Sequence, residues 1–224
     1  MRRLSVVTAA ALAAGSVAGV GYAGTAQAAT GCGDTGPYQR TVEQYLAAHP
    51  AYGRVTVDGR QSATDCATIK RFQTRFGISP VAGYAGPTTR GVVDRLNSAA
   101  VSRCNTGTRV CVDLTSQTVW FVKSGTIVLG PTTIRTGRAG LRTPSGEFAI
   151  GTKKTMTTSS YYGTKMPYWE QFYRDMGFHE TPSYLYTGPG SHGCINMLRG
   201  DAIKLYGLTQ RGTAVYISGR KPGT

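Results

Sequence analysis

Three residues in the second half of this 224-residue chain have types and spacing suited to nucleophilic chemistry: Cys194, His192 and His179. Cys194 follows Gly-Pro-Gly-Ser-His-Gly, between turn-forming residues and an apolar stretch. A cysteine attacks as its thiolate, which a nearby imidazole supplies as a base or as an ion-pair partner. His179 precedes Cys194 by 15 residues, enough for the chain to fold the imidazole back onto the thiol. The pattern predicts acyl transfer through a thioester, with a thiol that ionises at lower pH than an ordinary cysteine.

The backbone beside this cysteine has a predicted part in the same chemistry. The N–H groups of Gly193 and Cys194 could point at a developing oxyanion, a type of stabilisation that is commonly large. Glycine suits the position because it lets the chain approach a ligand closely.

Other interpretations of these residues stay open at this point. Cys194 could be a buried apolar cysteine or bond to another cysteine, and His179, His192 and Cys194 could be three zinc ligands. The paired spacings of structural zinc sites and the HExxH motif of a metalloprotease are both absent from the sequence. We therefore expect no metal and no cofactor.

The other four cysteines are expected to form disulfides. An odd number of cysteines leaves one thiol over, and sequence alone does not fix which one it is. We choose the pairs Cys32–Cys66 and Cys104–Cys111, because each pair is close in sequence and lies well away from Cys194. Such pairs persist in an oxidising compartment.

Residues 1–28 have the pattern of a secretory signal peptide. Arg2 and Arg3 precede an apolar run that ends in Ala-Gln-Ala, a typical cleavage site. The run is broken by Gly and Ser and is shorter than a membrane span, so we expect no transmembrane segment, although a retained N-terminal anchor is the alternative. The mature protein is predicted to be secreted or held in the cell wall.

The formal net charge of +14 favours polyanionic partners. The sequence has no finger spacing, no aromatic-basic RNA signature and no long arginine-rich helix, so nucleic acid is not expected. For a secreted protein, anionic wall polymers are the better candidate. A solvated basic face without a specific partner is the alternative.

The elements that must position the thiol change character near residue 105. Upstream, apolar residues recur at spacings of three and four and predict short helices over 38–48, 65–77 and 86–99. Downstream, the period is two and predicts three strands within 109–134, with further strands at 147–150 and 213–218 and a short helix over 200–208. The section 151–190, rich in Tyr, Thr, Gly and Pro, is predicted to be a long binding loop.

The stretch 179–196 resembles the signature of L,D-transpeptidases of the YkuD type, in which a histidine precedes Ser-His-Gly-Cys by a dozen or so residues. Other blocks are similar in the same order: Thr-Pro-Ser-Gly-Glu-Phe (143–148), Met-Pro-Tyr-Trp (166–169), and the closing helix and strand (201–217).

The resemblance implies a mostly β catalytic domain acting on peptidoglycan. Cys194 would attack the carbonyl between the third and fourth residues of a stem tetrapeptide, and an amine of a neighbouring acceptor stem would take the acyl group to form a 3→3 crosslink. His179 would be the general base and acid, while His192 and Gly193 would lie on the oxyanion side with Ser191 in support. β-Lactams, especially carbapenems, would acylate Cys194 as inhibitors.

The same resemblance places Met166, Tyr168 and Asn196 in the substrate groove, although Tyr168 could equally belong to the core. Two positions depart from the family pattern. Glu180 stands where glycine often follows the catalytic histidine, so its carboxylate could orient His179 or simply face solvent. Asn196 stands where many members have arginine.

The first half resembles a small three-helix peptidoglycan-binding module. Val-Asp-Gly (57–59), the Phe-Gln segment within 69–79 and the Gly-Pro-Thr-Thr block (86–93) carry this likeness. Ile69, Phe72 and Phe76 share one predicted helix face. The predicted fold class is therefore α+β multidomain: a signal peptide (1–28), a helical domain (29–105), a mostly β catalytic domain (106–219) and a tail (220–224).

Three functions follow as hypotheses. The first is a crosslinking L,D-transpeptidase. The second is an L,D-carboxypeptidase, in which water deacylates the same thioester. The third is a non-catalytic wall-binding structural protein.

Overall fold

The computed structural model describes residues 32–224, and the predicted signal peptide lies outside them. None of the described helices is long and apolar enough to cross a membrane. The α-helices of this part of the chain are α1 Gln39–Ala47, α2 Ala63–Arg75, α3 Pro87–Asn97 and α4 Arg199–Leu208, with 3-10 turns at Pro50–Tyr52 and Val101–Arg103.

The first three helices form where the apolar spacing predicted them. Ser62 begins α2 with a capping box, in which its hydroxyl accepts from the Asp65 amide and the Asp65 carboxylate accepts from the Ser62 amide. Ile69, Phe72 and Phe76 are fully buried in a shared core with residues of α1 and α3. The predicted common face of these three side chains is confirmed.

Two disulfides brace this part of the chain. Cys32 is bonded to Cys66 of α2, and Cys104 is bonded to Cys111 of the first strand. These are the pairs favoured by sequence proximity. Cys194 is the free cysteine of the described residues.

The second half is a curled nine-stranded sheet with the order β4-β9-β1-β2-β3-β8-β7-β6-β5. Most neighbours are antiparallel, but β1 and β9 are parallel, as are β7 and β8. The strands are β1 Arg109–Asp113, β2 Thr118–Lys123, β3 Thr126–Arg135, β4 Gly146–Ala149, β5 Lys153–Thr158, β6 Lys165–Tyr173, β7 Met176–Glu180, β8 Ile195–Met197 and β9 Ala214–Ser218.

The predicted strands in 109–134, 147–150 and 213–218 and the helix over 200–208 are confirmed as β1 to β4, β9 and α4. The prediction of a long loop over 151–190 was wrong, because this section contains β5, β6 and β7. Strand β5 is mostly exposed and polar, and β6 contains Pro167, so neither shows the clean apolar alternation that indicates a strand.

The helical half packs directly on the sheet half. Arg75 at the end of α2 makes a bidentate pair with Asp201 of α4, at 2.8 and 3.0 Å. The Tyr186 hydroxyl donates to the carbonyl of Phe76, and that of Tyr184 to the carbonyl of Ser79. The loop that follows β7 is thus held between the two halves.

Candidate active site

Cys194 lies at the end of a tight turn that leads into β8. The Ser191 hydroxyl donates to the Cys194 carbonyl at 2.6 Å and accepts from the Gly193 amide at 3.1 Å. Gly193 has a φ of +112°, a conformation that side chains strain. A Cβ at this position would lie 2.6 Å from the Met176 side chain. The turn therefore requires glycine immediately before the thiol.

Thr143 fixes this turn from the other side. Its hydroxyl donates to the Gly193 carbonyl at 2.8 Å and accepts from the Gly137 amide at 3.0 Å. The Ser191 amide donates to the Thr136 carbonyl at 3.0 Å. Thr143, the first residue of the Thr-Pro-Ser-Gly block, therefore helps to hold the cysteine turn in place.

The parallel pairing of β7 and β8 brings the histidine and the cysteine to one face of the sheet. His179 is paired with Asn196 in register, so Gly177 lies beside Cys194. Alternate residues of a strand share a face. Phe178 and Ile195 are completely buried in the core on the opposite face.

A row of polar side chains crosses three neighbouring strands at this register. Arg135 of β3 is paired with Asn196 of β8, which is paired with His179 of β7. The Arg135 guanidinium donates to the Asn196 Oδ1 atom at 3.2 and 3.3 Å, and the Asn196 Nδ2 atom lies 3.0 Å from the His179 Nε2 atom.

This row determines the tautomer of His179. A guanidinium only donates hydrogen bonds, so the Asn196 oxygen must face Arg135 and its NH2 group must face the imidazole. The His179 Nε2 atom is then the acceptor, and the proton is on Nδ1, which donates to the backbone carbonyl of Glu180 at 2.7 Å. An unprotonated Nε2 is the form that a general base needs.

The electrostatics favour a neutral pair in the resting site. Burial lowers the pKa of His179, outweighing its hydrogen bond to the Glu180 carbonyl, and the nearby Arg135 charge lowers it further. Burial also raises the pKa of Cys194, despite a hydrogen bond from the Gly177 amide, and the Asp175 charge adds to this effect. In the resting site these effects oppose ionisation of the thiol, in contrast to the expectation from the sequence.

The thiol and the imidazole both line a cavity of about 780 Å³. Met166, Trp169, Asn196 and His192 line the same cavity. The thiol donates a weak hydrogen bond to the Asp175 carbonyl, with 3.9 Å between sulfur and oxygen. The Trp169 ring lies beside the imidazole, with 6.0 Å between the ring centres.

Tyr168 lies away from this cavity, although Met166 lines it. The Tyr168 backbone is left-handed, with a φ of +54°, and the alternation of faces along β6 changes there, so that Trp169 faces the cavity instead. The Tyr168 ring packs against Tyr206 and the core. Of the two positions expected for Tyr168, the structure places it in the core and not in the groove.

Two further side chains lie where the sequence left their roles open. The Glu180 carboxylate forms an ion pair with Arg199 at 2.9 Å, so the group that orients His179 is the Glu180 carbonyl and not its carboxylate. The His192 ring stacks on the exposed Tyr162, with 4.1 Å between the ring centres. In residues 32–224, no group of three His, Cys, Asp or Glu side chains is arranged to hold a metal ion.

Comparison with known proteins decides the family. The YkuD L,D-transpeptidase catalytic domain matches residues 107–217. A crystal structure of an L,D-transpeptidase from Stackebrandtia nassauensis is 42% identical, covers 86% of this chain and 96% of its own, and superposes with a TM-score of 0.83. The chain belongs to the L,D-transpeptidase family.

A second L,D-transpeptidase, residues 123–326 of the protein from Xylanimonas cellulosilytica, shares the fold at 24% identity, with a TM-score of 0.51 over 84% of this chain and 96% of that one. No curated protein matches the chain. The predicted α+β fold class and the enzyme class are confirmed. The family match begins at residue 107, so the peptidoglycan-binding likeness of the first half and the domain boundaries stay predictions.

Arg135 and Thr143 belong to this candidate site but were not predicted from the sequence. Thr143 stands in a block that the family resemblance did single out, but its bond to Gly193 depends on tertiary contact. Arg135 ends the predicted third strand, directly after the buried Ile134. That alternation places Arg135 on the face opposite the core, which was the available signal.

Proposed function

We propose that this L,D-transpeptidase forms 3→3 crosslinks in peptidoglycan through a thioester on Cys194, with His179 as general base and acid. One observation carries the proposal: the free thiol shares a cavity with an imidazole whose Nε2 atom is an acceptor. The family, whose catalytic domain matches, supports the reaction class.

Attack begins from two neutral groups. His179 removes the thiol proton as the sulfur attacks the carbonyl between the third and fourth residues of a stem tetrapeptide. Because Nε2 accepts from Asn196 in the resting site, Asn196 must release that atom before the proton can move. We propose that substrate entry causes this release and so couples proton transfer to binding.

The tetrahedral intermediate needs a hydrogen-bond donor for its oxyanion. Of the two amides considered, that of Gly193 already donates to the Ser191 hydroxyl. We assign the role to the Cys194 amide, with Ser191 and Gly193 shaping the turn that aims it. His192, stacked on Tyr162 at the cavity wall, contributes to the entrance.

Collapse of the intermediate breaks the peptide bond, and protonated His179 gives its proton to the departing D-amino acid. The product is an acyl-enzyme with the stem joined to the Cys194 sulfur. An acceptor amine, deprotonated by His179, then attacks the thioester and forms the crosslink as the thiolate leaves. His179 returns the proton to the Cys194 sulfur, which restores the neutral pair. Water in place of the amine would give carboxypeptidase activity.

The cavity wall supports the substrate assignment. Met166 and Trp169 offer apolar surface beside the thiol, and Asn196 offers hydrogen bonds. β-Lactams would acylate the same sulfur and remain bound. A secreted protein acting in the wall fits both this substrate and the two disulfides, and anionic wall polymers are the proposed partners of its basic surface.

The test is incubation of the purified enzyme with disaccharide-tetrapeptide fragments, followed by mass spectrometry of fragments and intact protein. We expect crosslinked dimers, release of the terminal D-amino acid and a transient adduct on the protein. Cys194→Ser and His179→Gln should form neither dimers nor adduct while keeping the wild-type unfolding temperature. An active Cys194→Ser enzyme would refute the assignment of the nucleophile, and tripeptides without dimers would establish the carboxypeptidase instead.

A further inference from the structure

Arg135 presents a positive charge to the active-site cavity. Its side chain lines the cavity together with His179, Cys194 and Asn196. The residue is only partly exposed, and burial lowers the pKa of its guanidinium. A charge in such a position has lost part of its hydration, so the cost has to be recovered from a partner.

The partners that Arg135 has are all neutral. Its Nη1 atom donates to the carbonyls of Tyr184 and Thr187, at 2.8 and 3.3 Å, and its other nitrogens donate to the Asn196 amide oxygen. The ion pairs of the described residues leave Arg135 out. These hydrogen bonds orient the guanidinium, but no carboxylate of residues 32–224 neutralises its charge.

The surrounding cavity has the same sign. Lys154 and Arg174 also line it, whereas Asp175 is the single acidic residue among its lining residues in the described part of the chain. An anion bound by Arg135 would lie next to the reacting groups, because one amide, that of Asn196, bridges the guanidinium to His179.

The proposed substrate carries an anion at a matching place. In a tetrapeptide donor, the amine that His179 protonates belongs to the terminal residue, and its carboxylate is one carbon away from that amine. A group that sits near the His179 Nε2 atom therefore brings this carboxylate near the Asn196 amide and Arg135. A donor that continued with a further residue would place a neutral peptide bond there instead.

On the basis of the proposed function, we infer that Arg135 binds the terminal carboxylate of the donor stem and makes the enzyme select donors that end at the fourth residue. Binding would replace the neutral Asn196 oxygen as an acceptor for the guanidinium. That exchange frees the Asn196 side chain to leave the His179 Nε2 atom, so the substrate's own charge unlocks the base.

The experiment compares two donors that differ in one group: a disaccharide-tetrapeptide with a free terminal carboxylate, and the same molecule with that carboxyl as a primary amide. The rate of terminal residue release gives kcat/KM for each by mass spectrometry. We expect the wild-type enzyme to prefer the carboxylate by about 10- to 100-fold, the size of a charge-assisted pair. In Arg135→Gln the preference should fall to about threefold or less.

The ratio of the two donors separates binding from folding. Damage to the loop that Arg135 also anchors would slow both donors by the same factor and leave the ratio unchanged, and that result would overturn the inference. Arg135→Lys should retain an intermediate preference, because it keeps the charge and loses the fork. Lys154→Gln removes a cation from the same cavity and should leave the ratio within about twofold of wild type.

Failure of the inference differs from failure of the proposed function. A wild-type enzyme that releases both terminal groups at equal rates would refute the role of Arg135 while leaving the transpeptidase reaction intact. A wild-type enzyme that releases neither would refute the proposed reaction itself.

Discussion

The pair formed by Arg75 and Asp201 should hold the two halves of the molecule together, and a double-mutant cycle can measure its energy. Asp201 is 2% exposed and accepts three hydrogen bonds, two from Arg75 and one from Thr132 at 2.6 Å. Removing one member of such a pair leaves the other charge without its partner, which lowers the free energy of unfolding.

The magnitude follows from these contacts. Hydrogen bonds to charged groups contribute about 1.5–3 kcal/mol each, but the Arg75 side chain is 36% exposed, so solvent screening reduces its two bonds to the lower part of that range. We expect Asp201→Ala to lower the free energy of unfolding by about 3 kcal/mol and Arg75→Met by about 2 kcal/mol. The double variant should lose about 1–2 kcal/mol less than the sum of the singles.

The assay is urea denaturation of the four proteins, followed by circular dichroism for the helices and tryptophan fluorescence for the sheet. Agreement of the two signals would show that the halves unfold together, which is the two-state condition for calculating a free energy of unfolding from the curves. If the two substitutions are additive within about 0.3 kcal/mol, the pair contributes nothing to docking and the reasoning is refuted. Thr132→Val serves as the matched control, since it removes a bond to Asp201 without touching Arg75.

Three further predictions concern the turn before Cys194 and the His179 imidazole. Gly193→Ala should lower kcat/KM for the tetrapeptide by at least about 100-fold because the turn requires a positive φ, and a fully active variant would contradict that geometry. The acid limb of the pH–rate profile should lie below about 6.5, since burial lowers the pKa of His179, and a limb above 7 would contradict this. Because burial raises the pKa of Cys194, iodoacetamide should alkylate this thiol in the free enzyme only at a higher pH than an ordinary cysteine. Rapid alkylation at pH 6 would show the opposite electrostatics. Asn196→Asp should move the acid limb to higher pH by about one unit, because a carboxylate beside the imidazole favours its protonated form. If the same pH–rate profile shows an unmoved limb, residue 196 does not contact the base.

The sequence predicted the helices and most of the sheet because their apolar residues follow one period. Phe72 and Phe76 recur at helical spacing, and Val110 and Val112 recur at strand spacing along β1, so these core residues were visible in the pattern. Strand β5 was missed because it exposes a polar surface toward the cavity, where function and not burial selects the residues. Sequence patterns report the core well and a hydrated site poorly.

The candidate site was only partly foreseeable for a related reason. The motif supplied Cys194 and His179, but their hydrogen bonds depend on strand register, which a motif does not encode. Arg135 lies 61 residues before Asn196 and contacts it only because β3 pairs with β8. The sequence left Tyr168 open between groove and core because the choice depends on the left-handed backbone of Tyr168 itself, after which the side chains of β6 change faces.

The side-by-side course of β7 and β8 has a consequence for how such a molecule can be altered. The distance between the histidine and the cysteine is set by backbone ladders and not by the number of residues connecting them. The connecting segment can therefore vary while the reactive groups keep their places, provided that it keeps the turn at 191–193 and the carbonyls of Tyr184 and Thr187 that hold Arg135. Here that freedom is used by Tyr184 and Tyr186, whose hydroxyls donate to carbonyls of the segment that follows α2. A designer could change the contacts that the two tyrosine side chains make with an accessory module and keep the backbone that holds Arg135 and the cysteine turn.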